Sequence, residues 1–229
     1  MAAAHRSPLR TRLWRRLLRT RSFDGAMRRR AAELFDLGEI GKHLVAGGRY
    51  LDIGGGTGHM LERLLAEPVE ALRAVGLDRE WSASRHVVRR LAKKAAGRFE
   101  FGLADATRLP IGDGELDGVM LCFVLHHIAY PLHEHVLAEL HRTVRRGGNV
   151  FLFEDTPADA RQWRRTERWD RWLNMEPKSE PHFYRSGPAW IEFFAAHGFR
   201  CVQQRSFDEM SPRLPGNRVP HEALVFRAE

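Results

Sequence analysis

Cysteine is scarce in this chain of 229 residues, with only Cys122 and Cys201, which stand far apart. Two isolated thiols exclude a disulfide framework, a zinc ribbon and a dithiol active site, and a reducing compartment is the simple expectation. Long apolar runs are missing as well. None approaches the ~18 residues of a membrane helix, so no transmembrane segment is expected. Internal repeats and low-complexity tracts are absent apart from arginine, which excludes a solenoid. A chain of this length with 43% hydrophobic residues suits one sizeable α/β domain and argues against disorder.

Acidic residues are nearly absent from the first 30 positions, which hold ten arginines and the single acid Asp24. The formal net charge of +8 therefore belongs to a basic N-terminal arm, residues 1–30, and the domain of residues 31–229 is almost balanced. In the arm, Leu9, Leu13, Trp14, Leu17 and Leu18 form an apolar stripe among Arg10, Arg12, Arg15, Arg16 and Arg19. This pattern fits a solvated basic helix leading into the domain. It also fits a mitochondrial transit peptide over residues 1–25, a membrane-surface helix or an RNA-contacting arm. A cytoplasmic location is expected, with the mitochondrion as the alternative.

The stretch Leu51-Asp52-Ile53-Gly54-Gly55-Gly56-Thr57-Gly58 organises the rest. A short apolar strand runs into a glycine turn, and Met60, Leu61, Leu64 and Leu65 then follow at helical spacing. Such a strand–turn–helix unit lets a ligand approach bare backbone. The dinucleotide fingerprint G-x-G-x-x-G fails, because His59 stands where the third glycine is needed. The pattern present is D-x-G-x-G-x-G, beginning at Asp52.

Downstream, Arg73–Asp78, Phe99–Leu103, Leu116–Phe123 and Val150–Phe153 read as strands. Helices are expected over Met27–Leu44, Ser82–Ala96 and Pro131–Arg145, the last burying Leu132, Val136, Leu140 and Val144 and ended by Gly147-Gly148. A last helix, Pro188–Ala196, and two strands, Phe199–Gln203 and Ala223–Phe226, close the chain. The alternation predicts a mostly parallel, doubly wound sheet.

Four motifs resemble those of the class I methyltransferases that depend on S-adenosylmethionine (SAM), in the small-molecule "methyltransferase type 11"-like branch. They are the glycine stretch, the strand ending at Asp78, the turn Ala104-Asp105-Ala106 with Leu109-Pro110, and Glu115–Ile128 with Leu121, Cys122 and His126-His127. The leader Arg146-Gly147-Gly148 before the fifth strand also matches, except that the family often has proline at the position of Arg146. The resemblance covers about Arg49 to Asp155, nearly half of the chain. It implies a Rossmann-like, seven-stranded α/β fold and SAM as cofactor, with S-adenosylhomocysteine as product. The implied cofactor-binding residues are Asp52, Gly54, Gly55, Gly56, Gly58, Asp78, Arg79, Asp105, Ala106 and Cys122. Asp78 would accept from the ribose hydroxyls, Asp105 from the adenine amino group, and Cys122 would wall the methionine half. Nothing basic is placed to make Cys122 a nucleophile.

A lid or substrate segment is expected over about residues 156–187, because specificity on a shared fold resides in loops. It holds Trp163, Trp169, Trp172, Asn174, Met175, His182, Phe183, Tyr184 and Arg185. Aromatic and polar groups together suit a small planar acceptor, although Trp169 and Trp172 could equally pack on the core. His126, His182 and Tyr184 are the candidate catalytic residues. For His126-His127 the expectation is a framework pair, one ring packed and one facing the cleft. His133, His135 and His141 do not share a metal-binding face, and no metal site is expected. Nucleic acid is a possible partner but not the favoured one, because acids interrupt Arg161, Arg164, Arg165, Arg168 and Arg171. A non-catalytic SAM-binding factor is the third class of function.

Overall fold

Strand β1 (Arg49–Ile53) is the axis of the computed structural model, which describes residues 21–229 except 57, 80–90, 92, 94, 96, 175–180 and 211–217; the side chains of 21–24, 172–174 and 209–210 also lie outside the description. β1 pairs in parallel with β2 (Arg73–Asp78) on one side and β4 (Leu116–Cys122) on the other. β3 (Phe99–Leu103) adds beyond β2, and β5 (Val144–Asp155) beyond β4. β6 (Phe199–Met210) and β7 (Arg218–Ala228) form an antiparallel hairpin, with β7 antiparallel to β5. The sheet order is β3-β2-β1-β4-β5-β7-β6, the seven-stranded, mostly parallel sheet that the motifs imply. Strand order reverses between β1 and β4, and open α/β sheets bind ligands in the crevice beside the carboxyl ends of the strands at such a reversal.

Alternation along each strand divides the core between two faces. Leu51, Ile53, Val75, Val119, Leu121, Val150 and Leu152 point to one face. There α3 (Tyr130–Thr143) supplies Val136, Leu137 and Leu140, and α5 (Gly187–Ala195) supplies Trp190 and Phe194. Tyr50, Ala74, Met120, Phe151 and Phe153 point to the other, covered by Leu34 and Phe35 of α1 (Arg21–Leu37) and by Leu61 and Leu64 of α2 (His59–Leu65). α4 (Ala160–Asn174) follows β5.

The structure corrects several sequence-based boundaries. α1 begins earlier than expected and stops at Leu37 before Gly38, with a separate 3-10 turn at Ile40–His43. α3 ends at Thr143, so Gly147-Gly148 falls inside β5 and not at a helix end. Gly147 has φ +76°, and the β4–β5 register shifts between Leu116↔Val144 and Gly118↔Asn149. The glycines thus form a bulge that absorbs extra residues. On α3 the buried stripe is His133, Val136, Leu137 and Leu140, whereas Leu132 is exposed, because it sits one position off that face. The last two strands are longer than the apolar runs that marked them. The arm of residues 1–20, most of the expected 82–96 helix and Met175 lie outside the described residues, as do the side chains of Trp172 and Asn174.

Phe194 of α5 stacks on Phe226 of β7 with centroids 4.0 Å apart and planes within 10°. Both are fully buried. Phe194→Ala is expected to lower the unfolding free energy by roughly 3–5 kcal/mol in guanidinium titrations, because truncation leaves a cavity beneath the hairpin.

Candidate active site

The crevice is lined first by the loop after β1. Gly54 continues the ladder, its N–H donating to Leu77 O at 2.8 Å, and then turns with φ +69°. A Cβ here would lie 2.6 Å from Val124 Cγ2 on the loop after β4, so only glycine lets these two strand ends approach. Gly56 and Gly58 also have positive φ, and Gly58 opens α2. The Gly56 N–H donates to Asp78 Oδ2 at 3.1 Å, which ties the glycine loop to the end of β2. Asp52 is buried beneath this loop, and its Oδ2 has no hydrogen-bond partner among the described residues. Burial, reinforced by the charge of Asp78, pushes its pKa up to about 8.

Asp52, the glycines and Asp78 are therefore brought together. Asp105 stands at the end of β3, exposed, and its Oδ1 accepts from Thr107 N–H (2.9 Å) and Oγ1 (2.7 Å). Those bonds, with the charge of Arg79, hold its carboxyl below the usual range. Ala106 packs against the core, and Arg79 is exposed. Cys122 is partly buried, and burial together with Asp52 raises its thiol well above the usual value. The thiol is therefore held neutral.

A second cluster forms at the ends of β4 and β5. Phe123 takes a left-handed φ of +59°, bonds Phe153 O through its N–H at 2.8 Å, and lies under the Arg30 guanidinium of α1. The chain then enters a 3-10 turn, Leu125–His127. Glu154, the penultimate residue of β5 and fully buried, accepts there from Val124 N–H (3.0 Å) and Leu125 N–H (2.7 Å), and its Oε2 lies 2.5 Å from His126 Nδ1. Asp170 of α4 faces the same place. Its Oδ2 lies 3.6 Å from Nε2 of both His126 and His127 and 3.3 Å from His182 Nε2. Burial alone would keep His126 neutral, but Glu154 and Asp170 outweigh it and hold the imidazole pKa well above its usual value. Burial would likewise raise Asp170, but the histidines bring it down to about 2.

His182 and Tyr184 reach this cluster from the segment before α5. The Tyr184 hydroxyl is 3.0 Å from His182 Nδ1, its ring lies 5.2 Å from that of His126, and Trp163 of α4 meets it edge-on. Phe183 N–H donates to His126 O, and the Tyr130 hydroxyl donates to Tyr184 O, so the segment is tied down on both sides. Burial and the nearby carboxylates drive the Tyr184 phenol far above its usual range. It stays protonated.

The three histidines of α3 do not gather. His133 lies against the carbonyls of Leu125 and Ile128, His135 is at the surface, and His141 sits edge-on to Phe199. Sequence reasoning missed Glu154 and cast Asp170 only as a charge that dilutes arginines. An acid at the end of a continuous apolar strand was the available signal for Glu154. Asp170 had only helical spacing from Thr166, which is also buried. On the outer face of α4, Arg161, Arg164 and Arg168 are exposed, while Arg171 pairs with Glu167. Trp169 is partly buried.

Residues 51–148 match the family model described as a methyltransferase domain. A ubiquinone/menaquinone biosynthesis C-methyltransferase of Pseudomonas putida is 30% identical over 120 residues, covering 48% of this chain and 42% of that protein. The chain thus spans less than half the length of this curated relative. A SAM-dependent methyltransferase of Methanosarcina mazei superimposes with a TM-score of 0.64 at 16% identity, over 83% of this chain and 96% of that one. A phosphoethanolamine N-methyltransferase of Haemonchus contortus, solved with phosphomonomethylethanolamine and S-adenosylhomocysteine, gives 0.64 at 13% identity, over 86% and 52%. Among the described residues, no helix is long and apolar enough to cross a membrane.

Two variants test this site. Folded Asp52 keeps a proton up to about pH 8 that the unfolded chain releases near its usual 3.8, so stability present in acid is lost as pH rises between these values. Asp52→Asn removes that loss: in thermal melts without ligand it should gain several degrees over the parent at pH 8, the gain vanishing toward pH 4. Glu154→Ala strands two backbone donors and one imidazole in the interior. Urea unfolding should show a loss of about 3–5 kcal/mol.

Proposed function

We propose that this chain, which carries a class I SAM-dependent methyltransferase domain, binds SAM across the carboxyl ends of β1–β4 and transfers its methyl group to a small-molecule acceptor. The observation that carries this reading is the bare glycine loop at the strand-order reversal, closed onto Asp78 by the Gly56 N–H and underlaid by buried Asp52. Asp78, a carboxylate at the end of β2 beside the glycine loop, is the acceptor for the ribose hydroxyls in this reading. Asp105 is pre-oriented by Thr107, with its second oxygen available to an adenine amino group. A cationic ligand beside the loop would favour the ionised form of Asp52, which burial disfavours.

The sulfonium already activates the methyl group, so the protein mainly aligns acceptor, carbon and sulfur for in-line displacement, with S-adenosylhomocysteine leaving. Such positioning can contribute on the order of 7–11 kcal/mol. His126 holds its proton between Glu154 and Asp170, and Tyr184 keeps its own, so neither acts as a general base in this state. Their place is to shape the acceptor side, together with His182, Trp163 and Phe183. This aromatic wall and the quinone-pathway names of the curated relatives support a small planar acceptor over RNA.

Calorimetric titration of the full chain with SAM and, separately, with NAD⁺ tests the reading. Micromolar SAM binding, no NAD⁺ binding, and a loss of about 10- to 100-fold in SAM affinity for Asp78→Ala are expected, the size of one hydrogen bond to a charged acceptor. Absence of SAM binding, or equal affinity for NAD⁺, would overturn it.

A further inference from the structure

Three imidazoles and one carboxylate converge where α4 and the 181–186 segment meet the end of β4. The Nε2 atoms of His126, His127 and His182 stand 3.6, 3.6 and 3.3 Å from Asp170 Oδ2. For His126, His127 and Asp170, all ligand atoms lie within 4.8 Å of one another. His182 stands beside this group, reaching it through Asp170, with ring centroids 5.8 Å from His126 and 5.2 Å from His127. These distances match an identifiable geometry. Ligands at about 2.0–2.1 Å from a tetrahedral ion are separated by about 3.3 Å along each edge of the tetrahedron. At 3.6 Å, His126 Nε2 is slightly too far from Asp170 for a good hydrogen bond and only slightly farther than such an edge.

The surroundings orient these atoms inward. Glu154 lies 2.5 Å from His126 Nδ1, which fixes the ring with Nδ1 toward the carboxylate and Nε2 toward the cluster. Nε2 is fully buried, aims into the cluster and has no hydrogen-bond partner among the described residues. His182 is turned the same way, with Nδ1 3.0 Å from the Tyr184 hydroxyl and Nε2 toward Asp170. A polar group behind a ligating imidazole, as Glu154 stands behind His126 and the Tyr184 hydroxyl behind His182, is the outer shell that metal histidines characteristically have. His127 is 30% exposed at its side chain, which gives an ion a way in.

We propose that His126, His127, His182 and Asp170 form a binding site for a borderline divalent transition-metal ion, of the class that includes zinc. Three imidazoles and one carboxylate suit that class, whereas hard cations such as magnesium prefer oxygen ligands. The ion links the β4 end to α4 and to the 181–186 segment. The site needs neither SAM nor an acceptor, and it can therefore fail while the methyltransferase reading stands, and the reverse.

The full chain, freed of metal with a chelator, is titrated with zinc chloride by calorimetry and with cobalt chloride by visible absorption. One ion per chain with micromolar or tighter affinity, and the intense d–d bands of tetrahedral cobalt, are expected. His127→Ala, whose ring is partly exposed, and Asp170→Asn, which keeps the side-chain shape, should each weaken binding more than about tenfold while circular dichroism stays native. Uptake of neither ion by folded protein would overturn the proposal and leave a hydrogen-bonded histidine–carboxylate network. Undiminished binding in a folded His127→Ala protein would overturn it too, placing the ion elsewhere.

Discussion

A single buried carboxylate, Glu154, holds together the end of the sheet on which the candidate site depends. Two backbone N–H groups of the turn after β4 and the His126 ring converge on its oxygens. The turn they support is an unfavourable one, because Phe123 must adopt a left-handed conformation just before it. A non-glycine residue there persists only where the surroundings over-determine it. Glu154, the Phe123–Phe153 backbone bond and the cation over the Phe123 ring do so together. Without that clasp, Val124 would not be held against Gly54, and the two loops that line the crevice would separate.

The opposite wall follows a different logic. Asp52 is buried without a hydrogen-bond partner for one oxygen, beside the charge of Asp78. This arrangement costs stability in the ligand-free protein. Such a conflict is expected where a charged ligand is meant to resolve it, since functional sites are where local rules are broken. The glycine loop reduces the obstruction over this acid: a Cβ on Gly55 would come within 2.8 Å of Asp52 Oδ2. The strand ends thus join a loop of bare backbone and acids to a cluster of histidines and aromatic rings, with the β1–β4 pair as the common support.

The sheet was legible because each strand carries its own local signal. Val150–Phe153 is a continuous apolar run, and Gly54, Gly56 and Gly58 alternate in a way that only a turn with positive φ requires. Element ends were less legible. Gly147-Gly148 signals a helix stop by composition, yet it lies in a bulge, because pairing with β4 recruits Val144–Arg146 into the strand. Leu132 looked like core because it is leucine, but packing gave its place to His133, whose ring lies against two carbonyls of the preceding turn.

Chain-local chemistry was enough for the doubly wound sheet, the glycine loop and the acids at the ends of β1, β2 and β3, because each sits within a few residues of the pattern that positions it. The histidine–carboxylate cluster obeys no such rule. Glu154 reaches His126 across 28 positions, and Asp170 and His182 arrive from a helix and a loop that meet only after the sheet has formed. Helical or strand periodicity cannot relate residues on separate elements. Only tertiary packing could turn scattered histidines, usually surface or framework residues, into one buried cluster around a carboxylate.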